Sequence, residues 1–274
     1  MKNITTKLED ISLINIRSFD NIKTLDNKKI KKNRLYRSNC LYSSTKEDIK
    51  LLQDKYNLKT IIDLRNEVEA YQQEDRKIEG VEYILNPILT TKHMTMTHEK
   101  ECDYLQSKVN FLNRVIFEEK EDGINHLTQT YLKFINDKTC LDAYHNFLIN
   151  VINNKNGGLL FHCSVGKDRA GTAAFFILKL LNVDDNDILE DYLFTNVCVE
   201  KDVIKDFNQI KDRINYKDGE TVYRNLYTCR KEYILALINE INSKYGNFDN
   251  FAIKGLNLTK QNITDLQNNY LENL

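Results

Sequence analysis

The stretch GGLLFHCSVGKDRAGTAAFFILKLL, residues 157–181, decides the fold. Its glycine pair breaks the preceding helical pattern, and LLFH then predicts a short interior strand. Seven loop residues follow. The segment AGTAAFFILKLL is apolar on nearly every side, which is typical of a buried helix. The order helix, strand, loop and helix predicts an α/β fold with a mostly parallel sheet.

The same alternation continues outward from this stretch. A capping box at Ser44–Glu47 opens a helix, the run LKTIIDLR (58–65) predicts a buried strand, and VEYILNPI (81–88) predicts another. In the last third, residues 230–246 predict a helix that ends at its glycine, and Thr259 caps a final amphipathic helix. We therefore expect helices to flank the central sheet.

The chain shows no sign of division into parts. No repeat, low-complexity tract or linker interrupts it, so we expect a single domain over residues 1–274. Residues 91–125 are charged and aperiodic except for fragments of helix. This segment is the candidate for a helical lid over the functional site.

Composition argues against several classes of protein. The 274 residues include 39 basic and 40 acidic side chains, a balance that does not indicate binding to nucleic acid. The first residues lack the apolar core of a secretory signal, and the most apolar run is too short to cross a membrane. The six cysteines form no CxxC pairs and have no histidines at ligand spacing, which disfavours zinc sites and disulfides. We expect a cytoplasmic protein without metal or other cofactor, and signal-independent secretion remains open.

The segment HCSVGKDRAG, residues 162–171, carries the chemistry. Five residues separate Cys163 from Arg169, about the length that curls around a tetrahedral anion with successive N–H groups pointing inward. The positive field of such a loop favours the thiolate of Cys163, and the planar guanidinium of Arg169 can hold two phosphate oxygens. The loop predicted in this way consists of Ser164, Val165, Gly166, Lys167, Asp168 and Arg169. This arrangement predicts hydrolysis of phosphate monoesters with Cys163 as nucleophile.

These residues carry a resemblance to a known family. HCSVGKDRAG resembles the HCxxGKDR signature of bacterial tyrosine and dual-specificity phosphatases of the protein tyrosine phosphatase B type. The similarity extends to LYRSNCLYSST (35–45), Asp63-Leu64-Arg65 with Glu69 behind it, Asp191-Tyr192-Leu193, and YILALINEINSKYG (233–246). The resemblance implies a protein tyrosine phosphatase fold with a mobile helical lid. It also implies activity on phosphotyrosine proteins or peptides, with phosphoserine, phosphothreonine and phosphoinositide substrates left open.

The leaving oxygen of a phosphate ester needs a proton donor within hydrogen-bond reach. Asp168 lies inside the loop, and the resemblance places the acid of the family at this position. The alternative role for Asp168 is structural, as a carboxylate that orients the loop or pairs with Arg65. Asp137, 26 residues before Cys163, is the second candidate for the acid.

Other residues near the loop are expected to support it. Asp63 and Arg65 end a predicted buried strand. They are expected to support the reacting groups and not to react themselves. His162 is expected to orient the loop from beneath. Lys167 could add positive charge at the mouth and so favour multiply charged phosphate substrates, or could simply be solvated.

The sequence departs from the family pattern at two places. Ala170 follows the loop arginine where Thr or Ser is frequent, so a hydroxyl that would assist departure of the thiolate is missing. Thr172 and Ser164 are the candidates to replace it. The segment Asn15–Asn21 lacks both glycines of the family's NxRDxGG, which bears on the local turn more than on catalysis.

The sequence favours a two-step phosphatase reaction through a cysteinyl phosphate. Three alternatives remain: a phosphoinositide or broad dual-specificity phosphatase, a catalytically weak phosphopeptide-binding module, and a reductase or sulfur transferase that uses a loop cysteine. Only Ala170 supports the binding module. The reductase ranks lower because resolving cysteines are expected close to Cys163, and the sequence gives none.

Overall fold

The computed structural model describes residues 4–90, 104–214 and 216–274. Its strands are β1 (Thr6–Lys7), β2 (Arg17–Ser18), β3 (Lys28–Ile30), β4 (Leu35–Ser38), β5 (Leu58–Asp63), β6 (Glu82–Leu85), β7 (Gly158–His162) and β8 (Leu271–Asn273). Six strands form the central sheet in the order β1-β2-β4-β7-β5-β6, and β3 pairs with β8 apart from it. Strands β4, β7, β5 and β6 are parallel, and β1 and β2 extend one edge in antiparallel pairing. The predicted mostly parallel α/β sheet is confirmed.

Helices cover both faces of this sheet. They are α1 (Lys46–Asp54), α2 (Glu67–Gln72), α3 (Tyr104–Asn113), α4 (Ile124–Asn136), α5 (Lys138–Asn153), α6 (Asp168–Leu180), α7 (Asp185–Ile210), α8 (Gly219–Tyr227), α9 (Lys231–Tyr245), α10 (Phe248–Lys254) and α11 (Lys260–Tyr270). Side chains alternate along β7, so Leu159 and Phe161 join the larger core under the later helices. Leu160 points the other way and joins a smaller core with Leu52 of α1.

The carboxyl ends of three parallel strands meet at one edge of the sheet. Ser38 at the end of β4 and Asp63 at the end of β5 both lie opposite His162 at the end of β7. The chain segments that follow these strands are therefore neighbours, as ligand-binding loops of open α/β sheets are. The loop between β7 and α6 leaves the sheet at the centre of this edge.

Local signals located several of the elements. Helix α9 ends at Gly246, which has φ +82°, and the Thr259 side chain caps α11, as predicted. The capping box before α1 is wrong by one residue, because Thr45 is the cap and Asp48 its partner. The Ser44 hydroxyl instead donates to the Leu41 carbonyl at 2.6 Å.

Two predicted boundaries also move. Strand β6 covers only Glu82–Leu85 of the predicted run 81–88, although the Asn86 N–H still donates to the Asp63 carbonyl at 2.7 Å. Helix α6 begins at Asp168 rather than after the loop arginine. Asp168 and Arg169 thus belong to the first turn of α6, and the connecting loop is shorter than expected.

The lid candidate 91–125 falls partly outside the described residues. From residue 104 onward it forms α3 and a π-helical turn at Arg114–Glu118. Val109, Leu112 and Val115 in this part are buried in the larger core, and α3 packs against α7 and α8. The described part is therefore anchored in the core, and the movement of a lid stays a prediction. Among the described residues, no helix is both long and apolar enough to span a membrane.

Candidate active site

The loop of residues 163–167 is held from one side through its carbonyl oxygens. The Asn15 amide donates to the carbonyls of Val165 and Gly166, both at 3.1 Å. Arg37 donates from Nε to the Gly166 carbonyl at 2.9 Å and from Nη2 to the Lys167 carbonyl at 3.1 Å. In a trans peptide the N–H points opposite to the carbonyl. Three successive N–H groups are therefore directed to the other side of the loop, which is the arrangement typical of an anion-binding nest.

A buried charge cluster supports the loop from beneath. Asp191 accepts hydrogen bonds from Nε of Arg17 and Nη1 of Arg37, each at 2.8 Å, and both arginines also donate to the Thr195 hydroxyl. Arg17 holds Asn15 in turn, through a 2.6 Å bond to its side-chain oxygen. All three charged side chains are almost fully buried. Two cations against one anion leave net positive charge under the loop, which favours an anion above it.

Gly166 is the residue that lets the loop turn. Its φ is +73°, in the left-handed region that glycine occupies without cost. A Cβ at this position would lie 2.3 Å from the Ser38 carbonyl oxygen at the end of β4. The sequence therefore needs glycine here both for the backbone angle and for the close approach of the strand.

Arg169 lies in the first turn of α6 and is bound by Glu69 of α2. Its Nη1 and Nη2 donate to the two carboxylate oxygens of Glu69 at 2.6 and 2.8 Å. Ser164 completes the group, since its hydroxyl donates to Glu69 at 2.8 Å and accepts from Nη2 of Arg169 at 3.2 Å. Burial alone would raise the pKa of Glu69, but Arg169 outweighs it and holds this pKa at about 2. The carboxylate is thus ionised and fixes the guanidinium in one orientation.

Asp63, Arg65 and His162 meet Asp75 in a second buried network at the strand ends. Arg65 pairs with Asp63 at 2.7 Å and with Asp75 at 2.9 Å. His162 Nε2 lies 3.0 Å from Asp75. Burial opposes a charge on His162, but Asp75 and Asp63 overcome it and raise the pKa of the imidazole. The network holds the last residue of β7, and therefore the start of the loop, in place.

Asp63 keeps its charge for the same reason. Burial would raise the pKa of Asp63, but His162 and Arg65 hold it at about 2. Asp63, Asp75 and His162 lie close enough together to ligate a metal ion. However, Arg65 already supplies the cation for both carboxylates, so a metal ion would have to displace it.

Asp168 begins α6, and one of its oxygens has both a hydrogen bond and an ion-pair contact. The Tyr131 hydroxyl of α4 donates to Oδ1 at 3.0 Å, and Nζ of Lys167 lies 3.2 Å from Oδ1. Lys167 is buried, and its Nζ also donates to the carbonyls of Leu226 and Thr228 at 2.6 and 3.3 Å. The charge of Lys167 is therefore directed into the protein. This placement favours neither alternative from the sequence, and a role of Lys167 in substrate specificity stays a prediction.

The remaining sequence candidates lie as follows. Cys163 is buried at the start of the loop, 3% exposed. Asp137 caps α5, where its carboxylate accepts the Thr139 N–H at 2.8 Å, which gives it a structural task. Ala170 and Thr172 are fully buried in α6, whereas the Ser164 hydroxyl is engaged with Glu69 and Arg169. The described cysteines are free thiols; Cys102 lies outside the described residues.

Several supporting residues were not assigned by sequence reasoning. These are Asn15, Arg17, Arg37, Asp75, Tyr131, Asp191 and the arginine-binding role of Glu69. Some lie within segments that carry the family resemblance, such as LYRS at β4 and DYL in α7. That resemblance was the available signal, because a sequence does not show that an arginine in a strand is buried under a loop.

Known proteins resemble this chain over different lengths. The model of the tyrosine phosphatase family matches residues 9–272. A Cupriavidus necator protein, named as a candidate tyrosine-protein phosphatase, is 32% identical over 115 residues, which make up 41% of this chain and 39% of that protein. The chain thus aligns with about two fifths of the length of this relative. Because the family match covers nearly the whole sequence, the chain belongs to the tyrosine phosphatase family.

Proposed function

We propose that this protein is a phosphotyrosine phosphatase of the protein tyrosine phosphatase B type that works through a cysteinyl phosphate. One observation carries the proposal: the carbonyls of Val165, Gly166 and Lys167 are all bound on one side of the loop. Their peptide N–H groups face the other side, with Cys163 at the start of the loop and Arg169 at its end. A nucleophile and an anion-binding nest thus coincide.

In the first step the thiolate of Cys163 attacks phosphorus. The sulfur–phosphorus bond forms while the bond from phosphorus to the tyrosine oxygen breaks, and the electron pair of that bond stays on the oxygen. Asp168 gives this oxygen a proton. The loop N–H groups and Arg169 stabilise the charge on the three equatorial oxygens of the phosphoryl group.

In the second step water attacks phosphorus and the sulfur–phosphorus bond breaks. Asp168, now a carboxylate, accepts a proton from this water, and Cys163 returns as a thiolate. Inorganic phosphate leaves the site. Ala170 offers no hydroxyl to the departing thiolate, so we expect the second step to limit turnover of good substrates.

Arg169 can bind phosphate while its guanidinium is hydrogen-bonded to Glu69. Among the described residues, three of its five guanidinium N–H donors go to Glu69 and Ser164. Two donors remain for phosphate oxygens, and the Glu69 pair sets the plane in which they point. This is the orienting task that a bidentate carboxylate performs for a guanidinium.

The position of Lys167 bears on substrate class. A multiply phosphorylated headgroup needs positive charge around the mouth, and Lys167 was a candidate to supply it. Its ammonium is instead bound to carbonyl oxygens at the end of α8. This supports a phosphotyrosine substrate over a phosphoinositide.

The test compares hydrolysis of a phosphotyrosine peptide, a phosphoserine peptide and a phosphoinositide in the presence of a chelator. We expect the phosphotyrosine peptide to be the best substrate. Cys163→Ser should abolish turnover while the peptide still binds, and Cys198→Ser, which replaces another buried thiol, should retain it. Binding without turnover in the wild type would instead identify a phosphopeptide-binding module. A preference for the phosphoinositide would overturn the assignment of substrate.

A further inference from the structure

Asp168 is held by a chain of hydroxyl groups that extends into the core. Tyr131 donates its single hydroxyl proton to Oδ1 of Asp168 at 3.0 Å. The Tyr192 hydroxyl lies 2.8 Å from that of Tyr131. Because the proton of Tyr131 is already used, Tyr192 must be the donor in this second bond. Tyr192 of α7 therefore donates to Tyr131 of α4, and Tyr131 donates to the carboxylate at the start of α6.

The two tyrosines are fixed in position. Both are buried, and the Tyr131 ring packs between Phe134, Tyr192 and Tyr233 at centroid distances of 5.5, 6.2 and 5.8 Å. Burial and the nearby charge of Asp168 raise the pKa of Tyr131 well above its ordinary value. Tyr131 therefore stays protonated and acts as a donor.

The two oxygens of Asp168 are consequently unequal. Oδ1 accepts the hydrogen bond from the Tyr131 hydroxyl and faces the ammonium of Lys167. Among the described residues, no hydrogen bond involves Oδ2, and the Asp168 side chain is 26% exposed while Tyr131 is buried. A proton on the carboxyl group therefore resides on Oδ2, since the lone pairs of Oδ1 are already engaged.

From this geometry we infer that Tyr131 is a positioning residue, which holds Oδ1 so that Oδ2 delivers the proton to the leaving oxygen. This inference rests on the proposed phosphatase function. Without Tyr131, Asp168 would rotate about its side-chain bonds and lose part of its alignment with the leaving oxygen. Proton donation matters most when the leaving phenol is weakly acidic, as tyrosine is, and least when it is strongly acidic.

The experiment measures kcat/KM, which reports the first chemical step, for phenyl phosphate and p-nitrophenyl phosphate. We expect Tyr131→Phe to lower kcat/KM about 10-fold or more for phenyl phosphate and less than about 3-fold for p-nitrophenyl phosphate. Tyr233→Phe is the matched control. It removes a buried hydroxyl that donates to the Asn225 carbonyl at 2.8 Å, from a ring that packs on Tyr131. This variant should lower both values by the same factor.

Equal losses on both substrates in Tyr131→Phe would overturn the inference and leave a structural role only. If Tyr131→Phe does not fold, Tyr192→Phe decides, because it removes the donor to Tyr131. A selective loss with phenyl phosphate then supports the inference, and equal losses overturn it. Failure of the proposed function would give a different result. In that case the wild type would show no hydrolysis of either ester that depends on Cys163.

Discussion

Arg169 and Glu69 form a bidentate ion pair across the mouth of the loop, with Nη–Oε distances of 2.6 and 2.8 Å. The pair joins the first turn of α6 to α2, a helix that follows the neighbouring strand β5. The guanidinium is therefore oriented before any ligand binds. Binding does not then have to order a long, flexible side chain.

Glu69→Gln should weaken catalysis through Arg169. An amide can accept only at its oxygen, so the fork loses one charge-assisted bond and the guanidinium gains freedom to rotate. We expect kcat/KM for a phosphotyrosine peptide to fall about 10- to 100-fold, with a rise in KM. Glu67→Gln, at an exposed position in the first turn of α2, is the control and should retain activity. Equal activity in both variants would contradict the orienting role.

Gly166→Ala should damage both stability and activity. Its φ of +73° strains any other L-residue, and the new Cβ would lie 2.3 Å from a backbone oxygen of β4 that cannot move aside. Gly80→Ala is a close control, since its φ is +72° and a Cβ there would meet nothing within 4 Å. We expect unfolding in urea to show a loss of about 1 kcal/mol for Gly80→Ala and about 3 kcal/mol or more for Gly166→Ala. Similar losses would mean that the loop adapts to the added atom.

The sequence predicted the parts of the site that depend on local order along the chain. The strand, loop and helix at residues 157–181 follow from glycine positions and apolar periodicity, and Cys163 and Arg169 follow from their spacing. Long-range partners do not have such a signal. Arg37 reaches the loop across the pairing of β4 with β7, and Tyr131 reaches Asp168 from a helix 37 residues earlier in the chain.

Lys167 shows the limit of reasoning from residue type. A lysine within a polar loop is normally solvated, and nothing in the local sequence indicates burial. Its three donor contacts involve Asp168 and two carbonyls that lie about sixty residues further along the chain. Only the packing of α8 against the loop reveals why a lysine is needed there.

His162 should make stability depend on pH. Its pKa is raised in the folded state, so folding favours the protonated imidazole. This contribution is fully present below the unfolded pKa of about 6.5 and is lost as pH rises through the folded value. We expect the free energy of unfolding to fall as the pH rises above about 6.5. Near neutral pH the buried thiols of Cys40 and Cys229, with pKa values raised by burial to about 11, stay protonated.

Urea unfolding at a series of pH values checks this dependence. His162→Gln should lose the decline above pH 6.5, because the titrating group is gone. His145→Gln is the control, since Nδ1 of His145 donates to a backbone carbonyl, that of Leu256, at 2.8 Å. It should keep the decline of the wild type. A decline that persists in His162→Gln would assign it to another group.

Lys167→Met should affect all substrates equally, because the ammonium holds α8 to the loop instead of facing the ligand. Its loss leaves the carbonyls of Leu226 and Thr228 without a charged donor, at a cost of about 2 kcal/mol in the free energy of unfolding. We expect kcat/KM for a phosphotyrosine peptide and a phosphoinositide to fall by the same factor. Lys201→Met, at an exposed position on α7, should change neither quantity. A selective loss with the phosphoinositide would show that Lys167 swings outward to bind substrate, and the buried ammonium would then be a resting position.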